Sequence, residues 1–333
     1  MKISSFVPTA PKGRKGRHNV AKKTAVQLMD SVQATSSARR GFRRRVKKSI
    51  ETLSFAKTSA ASQAGKFCLD MEGSRSPVDS DKTFLLDDVS CRVPASSDKP
   101  NQGVFAVDQG THDFIFARVP ARRAAELSSK HKKWQKILVK ALGIKPNFKR
   151  GEKRNGACDR CVLFGWRKNP RGKEVGEYVF KKSISKDEVE DVELEIARML
   201  KDIEGVAHSF VNPDDLARLK SLKEEKDIPG FAGDSTVSTQ FSVARNYSSP
   251  MHTDDDFFWT VLSVLGSQKV SKPLQWFVFP EYDVAVPLHS GDIIIFNPLV
   301  LHGCTNPTMD SLIFSAYVSA KTVATAVASK DEI

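Results

Sequence analysis

Apolar positions along this chain fall into two regimes. Up to about residue 228 the longer apolar patterns recur at helical intervals, and beyond Gly230 they gather in short runs bounded by turn residues. Residues 121–142 place Ala, Leu and Trp134 at helical spacing, which predicts a helix there. Ser185 followed three residues later by Glu188 makes a capping box ahead of "VEDVELEIARML", an amphipathic helix. Asn212-Pro213 opens a shorter one, "DDLARLKSLKEEK". The segments after Gly230 are strand-like: "STVSTQFSVARNY", "FFWTVLSVLG", "LQWFVFP", "AVPL", "GDIIIFNP" and "SLIFSAYVS". Short strands at roughly even spacing, separated by turn signals, predict a sandwich, jelly roll or barrel. The fold class expected is α+β, with helices first and an all-β core over about 228–322.

Charge divides the chain differently. The 333 residues carry 52 Lys and Arg against 39 Asp and Glu, a formal charge of +13. Residues 1–50 hold "PKGRKGRH" and "ARRGFRRRVKKS" with Asp30 as their only carboxylate. Such a segment buries too little apolar surface to offset its ordering entropy, so residues 1–100 are expected to be a largely disordered basic region ahead of a domain over 101–333. A balance this basic favours polyanionic partners, nucleic acid above all, met by the N-terminal arm and the 148–173 loop. No stretch approaches the roughly 20 apolar residues of a membrane span, and no secretory h-region follows the basic start. Five cysteines form no even framework, which suggests a reducing compartment, nuclear or cytoplasmic. Nothing in the sequence sets the oligomeric state, and a monomer is the simplest expectation. Cys158 and Cys161 form a CxxC without a second pair; free thiols are favoured over zinc, for which His131 or Cys68 would have to contribute. Trp166 could stack on a base or serve as a hairpin core residue.

The chemistry concentrates in "SSPMHTDDDFFW", residues 248–259. His252 and Asp254 are two apart, so at a strand end they project to one side. An imidazole and a carboxylate presented together make two thirds of a divalent-metal site. The third ligand is expected from "GDIIIFNPLVLHGC", where His302 precedes Gly303. Two His and one carboxylate form the facial triad that holds non-haem Fe(II). Three successive acids beside an aromatic run would otherwise repel one another. His289 reads as a surface histidine, and His112 and His208 as core or surface residues without partners in the sequence.

The pairing of "MHTDDDF" with "GDIIIFNPLVLHG" resembles the 2-oxoglutarate/Fe(II)-dependent dioxygenases. The resemblance covers about residues 235–322 and implies a double-stranded β-helix, or jelly roll. It implies Fe(II) held by His252, Asp254 and His302, 2-oxoglutarate as co-substrate, and hydroxylation of a C–H bond. The 48-residue separation of Asp254 and His302 is similar to that in the base oxygenases of the TET and base-J group. With the basic arm, this points to a methylated base in DNA or RNA as substrate. A prolyl-hydroxylase-like protein oxygenase and a non-catalytic nucleic-acid-binding β-barrel with a vestigial metal site are the alternatives. "ARNYSSPMH" resembles the family's approach to its ligands and points to Asn246 and Tyr247 near the co-substrate. Where such members carry an Arg or Lys on the last strand, this chain has Tyr317 and Leu312. By alternation Ser315, Tyr317, Ser319 and Lys321 share a polar face suited to lining a pocket. Lys321 is then the first candidate for the co-substrate's cation, and Arg245 the second.

Overall fold

The computed structural model describes residues 103–111, 113–121, 127, 129–144, 160–168, 175–178, 185–211, 213–231, 236–266 and 272–330, with four short strands between 50 and 92. The basic arm of residues 1–49, His112, and Cys158 with most of the basic loop before it lie outside the described residues.

Eight strands build the core: β9 (Gln240–Arg245), β10 (Ser249–His252), β11 (Asp256–Gly266), β12 (Gln275–Phe279), β13 (Val284–Leu288), β14 (Ile293–Phe296), β15 (His302–Cys304) and β16 (Ser311–Ser319). The chain alternates between two sheets as it proceeds. β14, β11, β16 and β9 are neighbours in one, and β10, β15, β12 and β13 in the other, all antiparallel. That order is the double-stranded β-helix, so the α+β jelly-roll expectation holds.

The first sheet is wider than expected. β5 (Gly103–Asp108) and β6 (Phe114–Val119) extend it on the β14 side, and β7 (Arg160–Lys168) with β8 (Val175–Glu177) on the β9 side. Strands also arise within the region assigned to the arm. β1 (Ile50–Phe55) runs parallel to β5, β2 (Cys68–Asp70) and β3 (Thr83–Leu85) extend the second sheet beside β10, and β4 (Cys91–Arg92) pairs with β13.

Helices cover one face of the nine-stranded sheet. α1 (His131–Gly143) is the described part of the helix expected over 121–142. α2 (Lys186–Ala207) begins as its capping box dictates, with the Glu188 amide donating to Ser185 Oγ at 3.1 Å. α3 (Pro213–Lys226) places proline in its first turn, where no amide is needed. Trp134, Leu138, Ile196, Leu200 and Ile203 are buried against Phe241, Val261, Phe314 and Val318 of the sheet. Each such side chain contributes about 1.5–3 kcal/mol by leaving water. The opposite face meets the second sheet through Leu262, Ile294, Phe296 and Ile313 on one side and Phe277, Phe279, Val284 and Val286 on the other. Among the described residues no helix is long and apolar enough to cross a membrane.

Two charged features sit in this frame. At the turn into β14, Arg118 donates to Asp292 Oδ2 at 2.7 Å through Nη2 and 3.1 Å through Nε, and both side chains are 3% exposed. The amides of Ala121 and His289 also donate to Asp292. Burial alone would raise its carboxyl, but the contacts with His289 and Arg118 hold it below the usual carboxylate value. His289, expected at the surface, is half-buried against this pair.

On α2, burial first and then the neighbouring Glu177 and Glu190 push Glu193 up to about 7. Its folded-state value exceeds the unfolded 4.5, so the folded protein holds this proton more tightly and loses stability as pH rises between the two. Glu193→Gln is therefore expected to raise stability at pH 8 by roughly 1–3 kcal/mol and to flatten the slope between pH 5 and 7. Urea titrations at pH 5 and pH 8 measure this, and equal shifts at both would rule out Glu193 as the source.

Candidate metal centre

β10 and β15 are neighbours, and their register sets His252 directly across from His302. Between that pair and Ser249–Cys304 the register shifts, and the Cys304 amide donates to Ser249 Oγ at 3.0 Å across the irregularity. Asp254 follows β10 in a loop anchored by its own amide, which donates to the Pro298 carbonyl at 2.9 Å. The Pro298 turn is fixed in its turn to β6, since the Asn297 amide donates to the Ile115 carbonyl and Asn297 Nδ2 to the Phe114 carbonyl. Both halves of the motif are thus tied to strands before any ligand is considered.

The result is convergence. Asp254 Oδ1 lies 3.5 Å from His252 Nε2, and Asp254 Oδ2 lies 3.3 Å from His302 Nε2. One ligand atom from each residue falls within 4.8 Å of the others. His302 Nδ1 is 2.8 Å from the Val300 carbonyl. A carbonyl can only accept, so Nδ1 carries a proton and Nε2 is the nitrogen turned toward Asp254. Lone pairs from an imidazole and a carboxylate aimed at one point repel unless a cation lies between them. Two imidazoles and one carboxylate suit Fe(II) in type and number, so the residues present fit the ion. His302 is 2% exposed, stacked at 12° on Phe277 and tilted against Phe296.

The remaining acids of "TDDDF" resolve separately. Asp255 pairs with Lys321 at 3.4 Å. Asp256 is half-buried and accepts from Thr260 Oγ1 at 2.9 Å. Burial, and then Asp254 beside it, push its carboxyl well above the usual carboxylate range. Three adjacent acids therefore divide into one member of the His–Asp–His triad, one ion pair and one hydrogen-bond acceptor.

Behind the triad lies a cavity of about 170 Å³ between the two sheets. His252, Asp254, Asp256 and His302 line its triad end, with Ser242, Tyr247, Ser249, Thr260, Ser315 and Tyr317 as its hydroxyl groups and Leu262, Phe277 and Phe296 among its apolar walls. A bulge in β11 shapes it. Phe257 pairs with Val318 but Val261 with Ala316, so β11 carries two extra residues opposite Tyr317. Simple alternation from Asp256 would aim Phe258 at the cavity. Phe258 instead has φ +69° and packs with the helix-covered face.

Of the co-substrate residues expected from the sequence, Tyr247 and Tyr317 line this cavity. Alternation along β16 holds, with Ile313, Ser315 and Tyr317 inward and Leu312, Ala316 and Val318 on the helix side. It does not extend to Lys321, because β16 ends at Ser319 and α4 (Ala320–Lys330) begins. Lys321 is half-exposed beside Asp255, and Arg245 grips Asp310 with Nε and Nη2 at 2.8 and 2.7 Å on the surface. Asn246 has φ +51° and closes the turn by accepting from the Ser311 amide. The Ser319 amide donates to Thr239 Oγ1. None of these four is among the cavity-lining residues. Ser242, Thr260 and Cys304 line the cavity as well, and polar residues recurring every second position in "STQFSVA" were a legible signal for the first. The Cys304 thiol is pushed up to about 12, chiefly by burial, and is an inert wall residue. Trp166 is a hairpin residue whose Nε1 donates to the Gly230 carbonyl.

No protein-family model matches the chain, and no curated protein matches it. Solved structures to which it is similar include NgTET1 in complex with 5mC DNA, at 14% identity over 76% of this chain and 89% of that one, with a TM-score of 0.46. A viral collagen prolyl hydroxylase from Paramecium Bursaria Chlorella virus-1 matches at 11% identity over 61% of this chain and 94% of that one, TM-score 0.26. A 2OG-Fe(II) oxygenase family protein from Burkholderia pseudomallei matches at 13% over 62% and 85%, TM-score 0.31.

Proposed function

We propose that this chain is an Fe(II)- and 2-oxoglutarate-dependent oxygenase that hydroxylates a C–H bond of a methylated base in DNA or RNA. The observation that carries the reading is the convergence of His252, Asp254 and His302 at the end of a cavity inside a double-stranded β-helix. Iron bound there supplies activation of O₂, with 2-oxoglutarate as the two-electron reductant that leaves as succinate and CO₂ while the substrate C–H becomes C–OH.

The protein's own part is arrangement. His252, Asp254 and His302 provide three ligands and leave the other coordination positions to small molecules. The Val300 carbonyl fixes the His302 tautomer, and Phe277 and Phe296 fix the ring and keep water from that side.

For a nucleic-acid substrate the support is charge. The chain carries +13, and the exposed side of α1 presents Lys132, Lys133 and Lys136. A DNA substrate would place the protein in the nucleus. The test is succinate formation by the Fe(II)-loaded full chain with methylated oligonucleotides, unmethylated oligonucleotides and peptides. Turnover raised by the methylated oligonucleotide is expected. Turnover raised by peptide alone would move the assignment to a protein oxygenase, and none under any condition would overturn the enzyme reading.

A further inference from the structure

Ser242 on β9 and Ser315 on β16 are direct register partners, and their hydroxyls lie 2.6 Å apart. Both line the cavity, where their neighbours include Leu262, Ile313 and Phe277. Two hydroxyls hold two protons, and the bond between them uses one. The second proton, on whichever oxygen accepts, remains for a group inside the cavity. A few convergent polar groups among apolar walls are what fix the polar end of a small ligand.

The pair also has the right position. Its strands belong to the nine-stranded sheet, whereas His252 and His302 are on the facing sheet. Stacked sheets stand about 10 Å apart, a gap that a metal and a short diacid can bridge together. A keto acid held at the triad would direct its far carboxylate at the other sheet. Tyr317, two residues along the same face of β16, lines the same cavity. The sequence-level candidates for that carboxylate are occupied outside the cavity, Lys321 by Asp255 and Arg245 by Asp310.

Resting on the co-substrate reading above, we infer that the Ser242–Ser315 hydroxyl pair, with Tyr317 beside it, holds the distal carboxylate of 2-oxoglutarate, in place of Lys321 or Arg245. The site is then a hydroxyl cradle, a positioning device on the sheet opposite the metal.

Calorimetric titration of the Mn(II)-loaded full chain with 2-oxoglutarate tests this without turnover. Pyruvate serves as a second probe, since it keeps the keto-acid end and lacks the distal carboxylate. Ser315→Ala and Ser242→Ala are expected to raise the Kd for 2-oxoglutarate about tenfold or more, the loss that follows removal of a hydrogen bond to a charged group. The Kd for pyruvate and for Mn(II) should stay within twofold, as should the Kd for 2-oxoglutarate in Lys321→Ala and Arg245→Ala. A wild-type protein that binds 2-oxoglutarate, with serine variants that bind it equally well, overturns the cradle and leaves the oxygenase reading standing. Loss in Lys321→Ala or Arg245→Ala in place of the serine variants overturns it likewise. A metal-loaded wild type that binds no 2-oxoglutarate overturns both.

Discussion

Asp254→Asn is expected to weaken Fe(II) or Mn(II) binding by more than a hundredfold while making the metal-free protein slightly more stable. The two effects have opposite signs because the carboxylate plays opposite parts in the two states. With a metal bound, Asp254 is the sole anionic ligand, and outer partners of metal ligands alone are worth 10–100-fold in affinity. Without one, its oxygens face the Nε2 atoms of His252 and His302 at 3.5 and 3.3 Å, and the Nδ1–H of His302 is already donated to the Val300 carbonyl. An amide of the same size can donate from its NH₂ to one of those nitrogens, a gain of about 0.5–1.5 kcal/mol. Thermal melts in chelator and in Mn(II), combined with metal titration, separate the two. A variant that is less stable in chelator and binds metal normally would show that Asp254 has a structural role only.

The second large effect lies at the other end of the β11–β14 pair. Arg118→Met should destabilise the fold by about 3–5 kcal/mol, because it strands the Asp292 carboxylate in a site 3% exposed. The pH dependence supplies the signature. In the wild type Asp292 titrates below its unfolded value, so its contribution is present above that value and is lost as pH falls through the folded one. In the variant, burial without the guanidinium raises the carboxyl, and stability should instead fall as pH rises through the carboxylate range. Arg118→Met/Asp292→Asn should recover part of the loss, since the two residues are in contact and their effects do not add. Urea unfolding of the three variants at pH 5 and pH 8 measures both points. Equal losses at the two pH values would remove Asp292 from the explanation.

The three candidate metal ligands were legible in the sequence because they are encoded locally, as HxD at one strand end and HG at the start of another. That they meet was not, since it depends on the register of β10 against β15, which the shift between Ser249 and His252 sets. The jelly-roll class followed from run length and spacing, while the flanking strands β5 and β6 were not assigned and β7 was legible only as the hairpin suggested for Trp166. Lys321 shows where the alternation rule stops: a two-residue period is valid only while the strand lasts, and β16 ends at Ser319. That the Asp256 carboxyl would be raised was not legible, since it depends on what encloses it in three dimensions.

Phe258 bears on how the cavity came to be there. An aromatic residue at φ +69° is held in a backbone region that costs it on the order of 1–2 kcal/mol. The same twist removes a ring from the space beside Asp256 and Thr260. The chamber behind the metal ligands is therefore no leftover of imperfect packing. It is kept open by the bulge in β11 that turns Phe258 away, against the tendency of the strand's own side-chain order to close it.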